Sequence, residues 1–404
     1  MRLRANPVVL AGVIGVGMPV LAAGVIAGLT IDDGDSGPDS ATATTTTPDV
    51  AATARPTPAA PTAASAATLA ADPDPVGFQP DSINFVSADE GWVLGRGYPC
   101  AALLCQSLRH TTDGGRTWRE VPLPAPLRDA GHHGGWVKFA DARNGWIGVR
   151  DKLFATHDGG TTWRETDIDI KAAEPGWSLT VTEDSVWVAA ARADEQTAVF
   201  TSPITRDAWT GPVEVSVPGA RGPFPVPKVS VTGSRAWMVV TGSGTNGARL
   251  VDGTWTAWQL PCGSSGPADW HAVSEKRLVA LCGLPARSAD GGAVRLVTSV
   301  DGGVTFTEIG QLSPSRSAKA VLLPADATHL VAAVDERLLT STDGGETWTT
   351  AYTAPDRGWQ PLSGEFVTET TGFVVLGRPG SGPVPTMMLA TRDAGQSWTP
   401  VSFG

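Results

Sequence analysis

Five aspartates stand in one recurring frame: Asp113 in HTTDGGRTW, Asp158 in ATHDGGTTW, Asp301 in TSVDGGVTF, Asp343 in TSTDGGETW and Asp393 in ATRDAGQSW. A carboxylate can ligate a metal or act as a catalytic acid, so five in the same company raise both possibilities. Their spacing argues against either. With two fainter copies, TRDAW around Asp207 and LVDGTW around Asp252, seven aspartates recur at intervals of 42 to 50 residues. Groups spread at that period belong to separate structural units and cannot share one centre. Each also has a local use. Between two β-prone flanks, the carboxylate accepts N–H groups of the turn that follows it, and glycine supplies positive φ. Ala394 replaces the first glycine of the last copy, whereas Gly115, Gly160, Gly303, Gly345 and Gly395 hold the second place. The second glycine is therefore expected to be the one the backbone demands.

The remaining candidates for chemistry are sparse. His132 and His133 in GHHGG are flanked by glycine and read as a turn, and His157 fills a variable, exposed place in a box. No phosphate loop, GxSxG elbow, HExxH or zinc-finger spacing is present, so neither cofactor nor metal is expected. Asp269 and Glu365 are two carboxylates that could face inward as a glycosidase pair. Trp136 and Trp177 each stand ten residues before another Trp, Trp146 and Trp187, and Trp359 precedes a comparable strand; Trp270 is one residue out of register. Arg128, Arg221, Arg316 and Arg357 lie in the stretches leading to those strands. Trp and Arg dominate protein recognition sites, and Trp also stacks on sugars. Trp136, Trp177 and Trp359 with Arg128, Arg221, Arg316 and Arg357 are the candidate binding set.

A second motif shows what positions them. FVSADEGWVLG at Phe85, FADARNGWIGV at Phe139 and FVTETTGFVVLG at Phe366 have looser counterparts at Val181, Val231, Val273 and Leu323. Each reads as a strand end, a polar turn and a buried strand. Alternating with the Asp turns, seven copies of each give four short strands per period of about 45 residues, the size of a propeller blade. The expected fold is all-β: a seven-bladed β-propeller of four-stranded antiparallel blades over residues 77–404. The last box lies near the C-terminus, so blade seven is expected to own all four strands.

The boxes resemble the Asp-box, or BNR, repeat of bacterial sialidases, sortilin-type receptors and xyloglucanases. Combined with the GW(V/I)xG strands they look most like the photosystem II assembly and stability factor family of seven-bladed propellers. The resemblance covers residues 80–404 and implies that the boxes are scaffold hairpins at the blade periphery, opposite the usual ligand face. Sialidase activity would need a tyrosine nucleophile with an arginine cluster; the chain has only Tyr98 and Tyr352, the latter in an outer strand, and no Arg-Ile-Pro motif.

Upstream, Arg2 and Arg4 precede an uncharged apolar run from Pro7 to Ile31, so residues 1–31 read as a signal sequence or N-terminal transmembrane anchor with the rest extracytoplasmic. Residues 32–76, rich in Ala, Thr, Pro and Asp, read as a disordered linker. Of the net charge of −11, residues 1–75 carry −4, and the body holds no basic excess that would suit nucleic acid. Four cysteines outside the cytoplasm suggest two local disulfides, Cys100 with Cys105 and Cys262 with Cys282. The reading is a monomeric, non-catalytic envelope propeller that recognises a protein or carbohydrate through the face opposite the boxes. The alternatives are a secreted glycoside hydrolase, sialidase- or xyloglucanase-like, and a polysaccharide-binding module.

Overall fold

The computed structural model describes residues 77–97, 105–124, 127, 135–170, 176–192, 195–220, 225–241, 245–263, 267–283, 292–315, 320–378 and 385–403. These form seven four-stranded antiparallel sheets. The segment expected to direct export, the expected linker and Cys100, expected to pair with Cys105, lie outside the described residues, among which no helix is long and apolar enough to cross a membrane.

The first sheet sets the pattern, with β1 (Phe78–Phe85), β2 (Gly91–Gly97), β3 (Cys105–Thr111) and β4 (Arg119–Val121) paired in chain order. The first strands of the later blades are β5 (Gly135–Phe139), β9 (Trp177–Val181), β13 (Val226–Thr232), β17 (Pro267–Ala272), β21 (Ala320–Pro324) and β25 (Gln360–Phe366). Each touches the first strand of the next blade, and β25 returns to β1, which closes the ring. The hydrophobic core is correspondingly divided into seven clusters, each drawing side chains from two adjacent blades. Blades are therefore stacked plates, and burial lies between them.

The Phe and Gly-Trp positions of the second motif make these interfaces. Phe139 stacks on Trp92 of the preceding blade at 3.7 Å between ring centroids, and Phe85 stacks on Phe373 at 3.6 Å. Gly91 and Gly145 lie under Phe85 and Phe139, where a Cβ would come within 2.4 Å of the ring. Any other residue before the tryptophan would displace the stack.

The five repeated turns share one bonding scheme. In the first, Thr111 Oγ1 donates to Asp113 Oδ1 at 2.8 Å and accepts from Gly115 N at 3.0 Å. Thr117 closes the loop by donating its N–H to Oδ1 (2.9 Å) and its hydroxyl to Oδ2 (2.6 Å). These Thr117 bonds, with the one from Thr111, hold the Asp113 carboxyl down to about 2. The same bonds recur at Asp158, Asp301, Asp343 and Asp393. Both glycine places are left-handed, from Gly114 (φ 74°) and Gly115 (φ 88°) to Ala394 (φ 60°) and Gly395 (φ 87°), so positive φ alone does not single out the second. In blades six and seven the second is distinguished by packing. A Cβ on Gly345 would lie 2.1 Å from Leu296 and one on Gly395 2.3 Å from Val331, each in the preceding blade.

The fainter copies differ. Asp252 (φ 50°) and Gly253 (φ 75°) form the expected two-residue hairpin of blade four. In blade three the turn is organised by Ser202, whose hydroxyl donates to Arg206 O and accepts from Ala208 N, both at 2.9 Å, while Asp207 instead meets His157 Nε2 at 3.3 Å. His157 also bonds Asn144 at 2.7 Å, so it is partly buried between blades and not the free surface residue expected. Blade seven supplies its own fourth strand, β28 (Thr399–Pro400), and the tail beyond it seals the seam with blade one. Phe403 packs on Phe78 and Trp118, and Trp118 Nε1 donates to Ser402 O at 3.1 Å. Cys262, after the last strand of blade four, is bonded to Cys282 in blade five, with 4.9 Å between Cα atoms. This is the sequence-adjacent pairing expected for these two.

Candidate functional site: the inner ring and its mouth

The turns after the first strands lie at the same end of each blade as the Asp turns: Gly114 N donates to Asp89 O at 2.7 Å and Gly159 N to Arg143 O at 2.9 Å. The starts of the first strands therefore define the opposite face. Toward the turn end, the last few residues of each inner strand alternate between the two neighbouring interfaces, which gives two tiers of side chains.

The tier nearer the turns begins a chain of bonds across blades. Asn84 Oδ1 accepts Phe139 N, Ser230 Oγ accepts Ala272 N at 3.3 Å, and Glu365 Oε1 accepts Phe85 N. The inner edge of a sheet has no further strand to pair with, and these side chains satisfy it from the preceding blade. Glu365, 3% exposed, also takes Asn84 Nδ2 at 3.2 Å and Lys138 Nζ at 3.1 Å. Lys138 belongs to blade two, so this ion pair reaches past blade one.

The tier nearer the mouth contains Ser82, Trp136, Ser178, Lys228, Asp269 and Ser363. Ser82 accepts Val137 N at 3.2 Å, and Asp269 Oδ2 accepts Leu322 N at 2.9 Å, the same bond made by different chemistry. Asp269 is 6% exposed and is also bonded by Lys228 Nζ and by His271 Nε2 at 3.2 Å. Burial alone would raise its carboxyl, but the Lys228 charge and His271, with their hydrogen bonds, hold it well below the usual carboxylate range. Burial and Lys228 together lower His271, outweighing the attraction of Asp269, so its imidazole is neutral near pH 7. The two carboxylates considered for a glycosidase are thus buried, and each is committed to a lysine and to a neighbouring backbone N–H.

Trp136 is partly exposed at the start of β5, and Trp177 meets it edge to face with centroids 5.0 Å apart. Trp177 is buried (7% exposed) and donates its Nε1 to Arg150 O in the two-residue turn between β6 (Gly145–Val149) and β7 (Lys152–Thr156). Gly148 makes the space: a Cβ there would lie 2.2 Å from Trp136 and 2.7 Å from Trp177. The candidate residues are thus only partly brought together. Trp359 is 1% exposed and belongs to the core between blades six and seven, so it offers no free surface; large aromatic area at the start of an inner strand is absorbed by the neighbouring blade. Arg357 is exposed in the turn before β25, and Arg128, Arg221 and Arg316, like His132, His133 and Tyr98, lie outside the described residues. Tyr352 sits in the outer strand β24 (Thr349–Thr353), where burial pushes its phenol up. Among the described residues no three His, Cys, Asp or Glu side chains gather as a metal site requires.

Sequence reasoning missed Lys138, Lys228 and Asn84. Their signal was a polar residue one place before the strand end at Asn84 and Lys138 and four places before it at Lys228, visible only once the strands were aligned.

No family model matches the chain, and no curated protein does. Among solved structures it is similar to YCF48 from Cyanidioschyzon merolae at 18% identity, over 79% of this chain and 95% of that one, with a TM-score of 0.54. It is similar to YCF48 bound to D1 peptide at 18% identity, over 79% and 94%, with a TM-score of 0.52. A catalytically inactive virginiamycin B lyase from Staphylococcus aureus with quinupristin matches at 12% identity, over 79% and 96%, with a TM-score of 0.54. Identities this low show a shared fold and nothing finer.

Proposed function

We propose that this chain is a non-catalytic binding propeller of the cell envelope, exported or anchored through residues 1–31, that takes a protein partner on the face opposite the Asp turns. The observation that carries the reading is Trp136, a partly exposed indole at the mouth of the ring, held by Trp177 and seated on Gly148. A rigid aromatic of this kind is the usual anchor of a recognition surface, because little side-chain freedom is lost on binding. The solved YCF48 complex with a D1 peptide supports the choice of a protein partner, since a propeller of the same architecture there holds a peptide. The commitments of Asp269 and Glu365 argue against hydrolysis, which needs an acid and a base free to exchange protons with substrate. The Cys262–Cys282 bridge supports an oxidising compartment.

The test is crosslinking of the full chain in envelope extracts to identify the captured protein, followed by affinity measurements with two variants. Trp136→Ala should weaken binding about tenfold or more, in line with loss of a hot-spot aromatic. Arg116→Ser, on an exposed Asp turn at the other face, should leave it unchanged. Loss with Arg116→Ser and none with Trp136→Ala, both variants being folded, would put the contact on the wrong face and end the proposal.

A further inference from the structure

Each blade leaves one strand edge unpaired at the perimeter, and such edges recruit other strands unless they are short, charged, bulged or broken by proline. Six of the seven outer strands carry such protection. β4, β8 (Arg164–Glu165) and β28 have two or three residues. β12 (Thr210–Ser216) contains Pro212 and Glu214 and faces a register break at Val199/Thr201. β20 (Thr307–Ser315) contains Glu308 and Pro314 and faces two breaks, and β24 faces one at Leu338/Leu339. The outer strand of blade four, β16 (Thr254–Gln259, TWTAWQ), has none of these devices. Its six residues pair one to one with β15 (Asn246–Val251), with no charge, proline or break.

The Asp252-Gly253 turn determines which groups are free. In a two-residue hairpin the closing pair, Val251 and Thr254, exchange both hydrogen bonds, and every second pair does the same. The N–H and C=O of Thr254, Thr256 and Trp258 are thus turned to β15, and those of Trp255, Ala257 and Gln259 point outward. The strand is fixed from both sides: Trp258 is buried between blades four and five, and Trp255 packs against the cluster between blades three and four. The edge is therefore already ordered, so little conformational freedom remains to be lost when another strand docks.

We propose that β16 pairs antiparallel with β16 of a second copy of this chain about a two-fold axis, joining two blades into one eight-stranded sheet. This departs from the monomer expected of a closed ring, because closure joins blades at the axis and leaves their outer edges open. Neutrality is what this occupant requires. In a two-fold contact each residue meets its own kind or a near neighbour, so a lysine or glutamate in the strand would face its like across the axis. Glu214 and Glu308 impose that repulsion on the other long edges; β16 lacks it. A six-residue strand pair is a small contact beside the roughly 1,200 Å² of a stable standard interface, so the association is reversible and driven by concentration.

Sedimentation of the full chain between about 1 μM and about 500 μM, a range that brackets weak association, tests this together with residue-resolved amide exchange. The mass should double toward the upper end. The N–H groups of Trp255, Ala257 and Gln259 should become protected as concentration rises, while those of Thr254, Thr256 and Trp258 stay protected throughout. Ala257→Pro removes one outward N–H without touching the β15 ladder, and Ala257→Lys places like charges opposite each other; either should restore a single mass, and the lysine variant decides if the proline one does not fold. A constant mass with unprotected outward amides overturns the proposal, as does a dimer that persists in Ala257→Lys. Protection conferred by a foreign extended peptide on a chain that never doubles also overturns it, since the edge would then serve another partner.

Discussion

The Asp turns and the inner ring solve different problems in the same seven blades. A turn is satisfied within nine residues, so each blade can reuse one answer, and Asp113, Asp158, Asp301, Asp343 and Asp393 bond alike. The inner ring is satisfied only across blades, and each place depends on who stands next door. The equivalent positions there are Asn84, Lys138, Thr180, Ser230, His271, Leu323 and Glu365, of which no two are the same. Local jobs repeat in sequence; shared jobs diversify. Individuality, and with it any function specific to this chain, is therefore to be sought on the ring and at its mouth.

If that contrast is right, the largest single loss should come from the ring. Glu365→Ala leaves Lys138 without its counterion and Phe85 N without an acceptor in a buried place. Removing one member of a buried pair costs about 3 to 5 kcal/mol, chiefly through the charge left behind. Denaturant titration should show a loss of that size, and Lys138→Met combined with Glu365→Gln should recover part of it. A loss under about 1 kcal/mol for Glu365→Ala would mean that the ring is no more specific than a solvated surface.

Within the turns, the two glycine places offer a finer division. Gly345→Ala must keep φ near 104° and drive its Cβ toward Leu296 at 2.1 Å, which should cost about 2 kcal/mol or more. Gly344→Ala asks only for what Ala394 already does at φ 60°, with its nearest contact 3.1 Å away on the flexible Arg277 side chain, and should cost about 1 kcal/mol or less. Equal effects in thermal unfolding would remove the distinction.

Acid sharpens the comparison from the other side. His271 is held neutral by burial and by Lys228, with Asp269 only partly opposing, so its folded value lies below the ordinary 6.5. The unfolded chain then binds a proton first as pH falls. Stability is full above about 6.5 and declines as pH drops through that value toward the lower folded one. The decline should be steeper in the native chain than in His271→Gln, in melting temperatures recorded at successive pH values. Parallel slopes would show that the ring histidine does not titrate against its buried surroundings.

How much of this could be read beforehand follows the same division. The blade count, the strand order, the hairpins of blades one, two and four to seven and the Cys262–Cys282 pairing came from patterns closed within one blade or between neighbours in sequence. Asp269 and Glu365 stand out in the sequence only as carboxylates that could face inward, and their partners do not stand out at all, because Lys138 is 227 residues from Glu365 and no repeat marks it. Trp359 was placed correctly at the entry to an inner strand; that its ring would turn into the core between blades six and seven depends on that interface and has no local signal. Phe403 was invisible for the same reason, since its contacts are Phe78 and Trp118 at the other end of the chain.

The smallest effect belongs to the turn of blade three, one of the two that depart from the scheme. By sequence, Asp207 takes the place of the other aspartates, yet the turn of blade three is built on Ser202, which receives Ala208 N and donates to Arg206 O. Ser202 is buried, so Ser202→Ala removes both of its bonds, leaving Ala208 N only its bond to Arg206 O at 3.0 Å, and should cost about 1 kcal/mol. Asp207 contacts His157 of the adjoining blade at 3.3 Å with both side chains about one-third exposed, and a pair so open to water contributes little. Asp207→Ala should therefore fall within about 0.5 kcal/mol of the native chain, the usual range for a surface change that breaks no cap. A larger loss for Asp207→Ala than for Ser202→Ala, measured by denaturant titration of both variants, would mean that the aspartate does organise this turn, and blade three would rejoin the other five.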